Sequence, residues 1–363
     1  MQWEPDGGTR SSWEVIVNDL LGGLESFLRS LIGGGGSNPA DAVRHAATNG
    51  TTPVDKKVLV ISYNPRIRSR GAQPLNKIQG WNDPQKLTDQ YVADMLECSY
   101  GYVRYQVVQF MDLDEWPLKA DGFRYDEATY YQGRQGKGWH DGMGPNGQPR
   151  DLFNYPALVN QYNLIERADA GELDEVWLWG MPYAGFWESH MVGPDGYFVN
   201  SNPMTYQGRG LRRFIIMGFN YERGAGETLH DFGHRTESIM KRRWDKARAP
   251  ENLWERFGRY DKASPGRAEV GLVHWAPNTL TEYEKDNTRT VMSACDNWLH
   301  FPTLTGAPRP VTCTEWGVTA GMPSGEVEHQ HMKWWLKHLP HAAGQTCGVS
   351  NNWWEYCCDP DVF

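Results

Sequence analysis

Apolar positions recur along this chain with two different periods. Over residues 13–32, Trp13, Ile16, Val17, Leu20, Leu24, Phe27, Leu28 and Leu31 repeat at three- and four-residue spacing. Glu14, Asn18, Glu25, Ser26 and Arg29 fall on the other side, so the segment 1–32 predicts a detached amphipathic helix. The run GGGGS at 33–37 ends it, and the polar sequence to residue 56 reads as a flexible linker. A tethered helix with one apolar face must bury that face, either on its own domain or through self-association or a partner. The acids on its polar side disfavour a membrane surface.

From residue 57 the pattern changes to short apolar runs alternating with longer helical stretches. Strands are predicted at 58–63 (VLVISY), 103–110, 175–180, 197–200, 213–219, 269–274, 310–314 and 346–350. Helices are predicted at 85–98, 155–170, 226–244, 288–299 and 326–339. This rhythm predicts a single α/β domain over 57–363, with a mostly parallel sheet and covering helices. A (β/α)8-like barrel and an open doubly wound sheet both satisfy it. Residues 111–154, rich in Gly, Asp and Tyr, predict a long loop or subdomain inserted into the domain.

Composition narrows the function classes. The chain has 363 residues, 39% of them hydrophobic and 22% charged, enough to bury a sizeable core. A net charge of -9 argues against a nucleic-acid partner. No run of about 18 apolar residues predicts a membrane span. The 17 Trp and 17 Tyr offer flat surfaces suited to stacking on sugars. Five of the six cysteines fall after residue 290, where Cys295/Cys313 and Cys347 with Cys357 or Cys358 are candidate bridges, with buried free thiols the alternative. Such crowding leads to the expectation of a secreted or cell-surface protein, although Met1 to Pro5 do not read as a signal peptide.

In parallel α/β folds, chemistry gathers at the carboxyl ends of strands. Those predicted ends supply Glu188, Glu222, His274-Trp275, Glu315-Trp316, Asn351 and Trp353-Trp354. Glycoside hydrolysis needs two carboxylates, groups that bond hydroxyls, and aromatic platforms. His-Trp at 274–275, Thr-Glu-Trp-Gly at 314–317 and Trp353-Trp354 resemble the last three strand ends of retaining (β/α)8-barrel glycoside hydrolases. The resemblance implies Glu315 as nucleophile and Glu222 or Glu188 as acid/base. It also implies Trp275, Trp316, Trp353 and Trp354 on sugar, with His274 and Asn351 on hydroxyls. The family's acid/base Glu directly follows an Asn, whereas here Tyr221 stands between Asn220 and Glu222. The expectation is an extracellular hydrolase of polysaccharide or glycan that requires no cofactor.

A second constellation gives the alternative. Glu227, His230, His234 and Glu237 step by three, four and three along one predicted helix, which places them on one face. His-x-x-x-His presents two imidazoles to one metal, with Glu237 a candidate third ligand. His230-Asp-Phe-Gly-His234 is similar to the HExxH helix of zinc metallopeptidases, with Asp231 at the position of the catalytic Glu. This implies a zinc-dependent hydrolase or peptidase; pairing with Arg235, Arg242 or Arg243 is the structural alternative. A phosphate loop, a G-x-G-x-x-G after the first strand and a G-x-S-x-G elbow are all missing, which disfavours nucleotide cofactors and the α/β-hydrolase class. His329, His331, His338 and His341 are expected to face solvent. A non-enzymatic surface-assembly or carbohydrate-binding protein, with the helix at 13–32 driving self-association, is the remaining reading.

Overall fold

The computed structural model describes residues 50–145, 147–206 and 209–362. The predicted helix at 13–32 and most of the linker lie outside them. Among the described residues, eleven strands occur in the order β1 (Val54–Tyr63), β2 (Arg66–Ile67), β3 (Gln73–Pro74), β4 (Val103–Leu113), β5 (Glu175–Gly180), β6 (Ser189–Val192), β7 (Phe214–Asn220), β8 (Val291–Ser293), β9 (Arg309–Val311), β10 (His341–Thr346) and β11 (Val349–Asn352). The α-helices are α1 (Leu75–Gln79), α2 (Pro84–Cys98), α3 (Glu127–Arg134), α4 (Tyr155–Gln161), α5 (Leu164–Asp169), α6 (Ala225–Asp245), α7 (Leu253–Phe257), α8 (Ser324–Lys337) and α9 (Trp354–Cys358).

The central sheet has the order β4-β1-β5-β7-β6. Its first four strands are parallel, and β6 pairs antiparallel with β7. Two edge strands make this an open sheet rather than a closed barrel. The chain runs from β1 outward to β4, then returns past β1 to β5, so strand order reverses between β1 and β5. Such a reversal opens a crevice at the carboxyl ends of the strands.

Period-two alternation separates two cores. Val58 and Val60 join Trp177, Met217 and Phe219 on the face covered by α2, α6 and α8. Leu59 and Ile61 join Val176, Leu178 and Ile216 on the face covered by α4 and α5. Buried on both sides, these strands read as continuous apolar runs, which is why the sequence exposes them.

The later strand predictions fail for local reasons. Residues 269–274 form turns, because Gly271 adopts φ +93° and a side chain there would lie 2.1 Å from the Trp275 carbonyl. The apolar stretch at 310–314 gives only β9, antiparallel to β8 outside the main sheet. Cys347 and Gly348 both take positive φ, so 346–350 bends into the β10/β11 hairpin. The predicted strand at 197–200 is irregular, the helix at 155–170 splits into α4 and α5, and 288–299 yields β8 and a 3-10 turn. All six cysteines are free thiols, so the bridges suggested by their spacing are not made. No helix among the described residues is long and apolar enough to cross a membrane.

Candidate metal centre

Helix α6 follows β7 after a four-residue turn, so its first turns stand at the carboxyl edge of the sheet. Leu229, Phe232, Thr236, Ile239, Met240 and Trp244 anchor its inner face. Gly226 and Gly233 let other elements approach closely. A side chain at Gly226 would meet the His329 backbone at 2.8 Å, and one at Gly233 would meet Val273 at 2.6 Å. The first contact brings α8 alongside, and the second brings in the turn that carries His274.

Three imidazoles converge there. His230 Nε2 and His234 Nε2 are 3.0 Å apart, and His234 Nε2 and His274 Nε2 are also 3.0 Å apart. Behind the triad, His230 Nδ1 bonds Glu328 at 2.8 Å and His234 Nδ1 bonds Glu237 at 2.9 Å. A carboxylate only accepts, so each Nδ1 must carry the hydrogen. In the neutral rings the Nε2 atoms of His230 and His234 then face each other as lone pairs, and His274 Nε2 faces His234 Nε2 and the Tyr283 hydroxyl. Lone pairs at this distance repel unless a proton or a cation lies between them. Tetrahedral zinc with Zn–N near 2.05 Å has its nitrogens about 3.3 Å apart, close to the spacing seen here. Carboxylates behind ligating histidines are the usual means of fixing tautomer and ring orientation. The donor set therefore fits a divalent transition ion.

The three rings differ in their electrostatics. Burial, together with the neighbouring His234 and His230, lowers the His274 pKa to about 4 and keeps that ring neutral. At His234 burial opposes protonation, but the Glu237 hydrogen bond and charge outweigh it and raise the pKa. Burial also opposes ionisation of Glu328, yet His230 and the buried Lys285 hold its pKa at about 2. Lys285 forms an ion pair with Glu328, completing a Lys285–Glu328–His230 chain. The Tyr283 hydroxyl lies 2.8 Å from His274 Nε2, on the open side of the triad.

A cavity of about 200 Å³ adjoins these elements. It is lined by the turn after β5, by the end of β7, and by Glu188, Glu227 and Asp231. The inserted segment braces its wall: Trp139 stacks on Tyr183 at 4.0 Å, and Lys119 donates to the carbonyls of Asp151, Tyr183 and Ala184. Burial first, then the charges of Glu188 and Glu227, push the Asp231 pKa well up.

The residues expected at the site divide sharply. His230 and His234 meet as their spacing requires, and His274 joins them instead of standing in a sugar cleft. Glu237 is not a third ligand: one oxygen holds His234, and the other accepts from Val273 N at 2.9 Å, fixing the His274 turn. Glu188 lines the cavity and bonds the Asn200 amide. Glu222 lies 3.6 Å from Arg134, and both Glu315 oxygens are bound by Arg309. Trp316, Trp353 and Trp354 are buried core residues. Asn351 is buried too, bonded to Ala343 and Thr346. Half-buried Trp275 stacks on Tyr260 at 4.8 Å. His331, His338 and His341 are buried, and His329 bonds Asp94 at 2.7 Å, so none of the four is a free surface ring.

Sequence reasoning missed Tyr283, Lys285 and Glu328, and gave His274 another role. None of the three carries a short-range signal: Tyr283 and Lys285 lie in turns and Glu328 on α8. Comparison with known proteins finds no matching family model, no matching curated protein and no matching solved structure.

Proposed function

We propose that this chain is a metal-dependent hydrolase whose centre is His230, His234 and His274. The observation that carries the reading is the convergence of three imidazole nitrogens, two of them backed by carboxylates. His230, His234 and His274 would hold a divalent ion such as Zn²⁺, which would supply Lewis-acid chemistry for hydrolysis. The chain's own groups complete the arrangement. Glu237 and Glu328 hold Nδ1 of His234 and His230 and so turn Nε2 of each ring toward the centre, and Lys285 holds Glu328 ionised in its buried position. A set of three protein ligands is the number found in catalytic rather than structural zinc sites. Tyr283 offers an O–H beside His274 Nε2, able to donate to an oxygen on which charge develops.

The glycosidase alternative has less to support it. Glu315 is neutralised by Arg309, and three of the tryptophans assigned to sugar are inside the core.

The test uses untagged full-length protein and a panel of peptide, ester and phosphoester substrates. Hydrolysis of at least one class should disappear on chelation and return with Zn²⁺ or Co²⁺, and Tyr283→Phe should lower kcat by roughly 10- to 1000-fold with little change in metal content. Protein that holds no zinc or cobalt after equilibration and dialysis would sink the proposal.

A further inference from the structure

The cavity beside the triad has a chemistry of its own. Its lining holds three carboxylates, from Glu188, Glu227 and Asp231, and no lysine or arginine. Glu188 accepts from an Asn200 amide, and Glu227 pairs at 3.2 Å with the exposed Arg223. Asp231 differs from both. It is only 3% exposed, faces the cavity, and makes no hydrogen bond or ion pair among the described residues. A buried carboxyl group without a partner is costly, and the cavity is where a partner would come from.

We infer that this cavity binds the primary ammonium group of the substrate. The identification as substrate rests on the hydrolase reading above; the site for a cation stands on its own lining. A metal ion is the less fitting occupant, because these carboxylates do not form a converging three-donor set of the kind the histidines form. An alkylammonium needs one direct carboxyl partner, which unpartnered Asp231 offers, while the Glu188 and Glu227 charges lie around the cavity and water can serve its other N–H donors. Met181, Tyr183, Phe186 and Phe219 supply apolar wall for the attached carbon chain. Glu227 and Asp231 share the first turns of α6 with His230 and His234, and a helical turn rises about 5.4 Å. The ammonium thus sits a few bonds from the cleaved group, as in a free amino terminus or a short aminoalkyl chain.

The experiment is calorimetric titration of the full chain with n-butylammonium and with the uncharged 1-butanol. Wild type should bind butylammonium at least about tenfold more tightly than butanol, and Asp231→Asn and Glu188→Gln should each weaken it about tenfold or more. Both replacements keep side-chain shape, and an unchanged circular dichroism spectrum certifies the fold. His234→Ala, which removes the metal centre, should retain butylammonium binding; this separates failure of the hydrolase reading from failure of the ammonium site. Equal affinity for butanol, absence of butylammonium binding, or unchanged affinity in both carboxylate variants would overturn the inference. So would a second zinc per chain that is lost in Asp231→Asn, since that would make the cavity a metal site.

Discussion

The His230/His234/His274 set and the Cys295/Asp296/His338 set each bring three donor atoms within 4.8 Å of one another. They differ in what already occupies them. In the second set Arg309 grips Asp296 through both carboxylate oxygens, at 2.6 and 2.8 Å, and binds Glu315 as well. Burial raises the Cys295 thiol to about 12, so its sulfur keeps its proton and is a poor ligand. His338 gives Nδ1 to the Trp334 carbonyl at 2.7 Å. The cation this cluster needs is part of the protein. In the histidine set the arrangement is inverted: carboxylates stand behind the rings, and the facing nitrogens have no protein cation between them. Convergence of donors alone does not define a metal site; convergence together with an unmet charge does.

The largest effect that would break this comparison is in metal affinity. His234→Ala should lower zinc affinity by a factor of about a thousand or more, whereas Cys295→Ser should leave it within about twofold, both measured by competition against a chromogenic chelator. Equal losses in the two variants would show that the clusters had been assigned the wrong way round. A smaller effect belongs to the carboxylates behind the rings. Glu237→Gln and Glu328→Gln should each cost about 10- to 100-fold in zinc affinity. Glutamine keeps a single acceptor, so Glu237→Gln must give up either the His234 bond or the Val273 N bond that fixes the His274 turn. If both variants bind zinc like wild type, the hydrogen bonds to Nδ1 are incidental.

How much of this was legible beforehand depends on sequence distance. His230 and His234 share a helix face at four-residue spacing, so local geometry alone brought them together. Glu328 reaches His230 from 98 residues away, through an α6–α8 contact that Gly226 permits, and no short-range pattern records that. The strands at 58–63, 175–180 and 213–219 were readable because sandwiched strands are continuously apolar, and the edge strand at 103–110 because its apolar and polar residues alternate. Their order, and so the open sheet, was not. Trp353 and Trp354 were misplaced for a related reason: an aromatic pair after an apolar run reads alike whether it lines a cleft or fills a core. Here burial of large apolar surface decides, with Trp353 packed among Trp254, Phe257, Trp298 and Phe301.

The smallest expected effect sharpens the comparison from the side of the second cluster. A thiol that titrates near 12 in the folded chain and near 8.5 when unfolded binds its proton more tightly in the native state. Its contribution to stability is therefore complete below about pH 8.5 and is lost as pH rises from there toward 12, at roughly 1.4 kcal/mol per pH unit. Serine does not titrate in this range, so comparing wild type with Cys295→Ser separates the contribution of Cys295 from those of other buried thiols and tyrosines. The difference in unfolding free energy, wild type minus variant, should be flat from about pH 6 to 8 and should fall by about 2 kcal/mol by pH 10. At pH 8.5 only about one Cys295 in a few thousand is a thiolate, so iodoacetamide should modify exposed Cys347 and spare Cys295. A pH-independent stability difference, or prompt alkylation of Cys295 at pH 8.5, would mean a thiolate is available in this cluster. The distinction from the histidine triad would then rest on Arg309 alone.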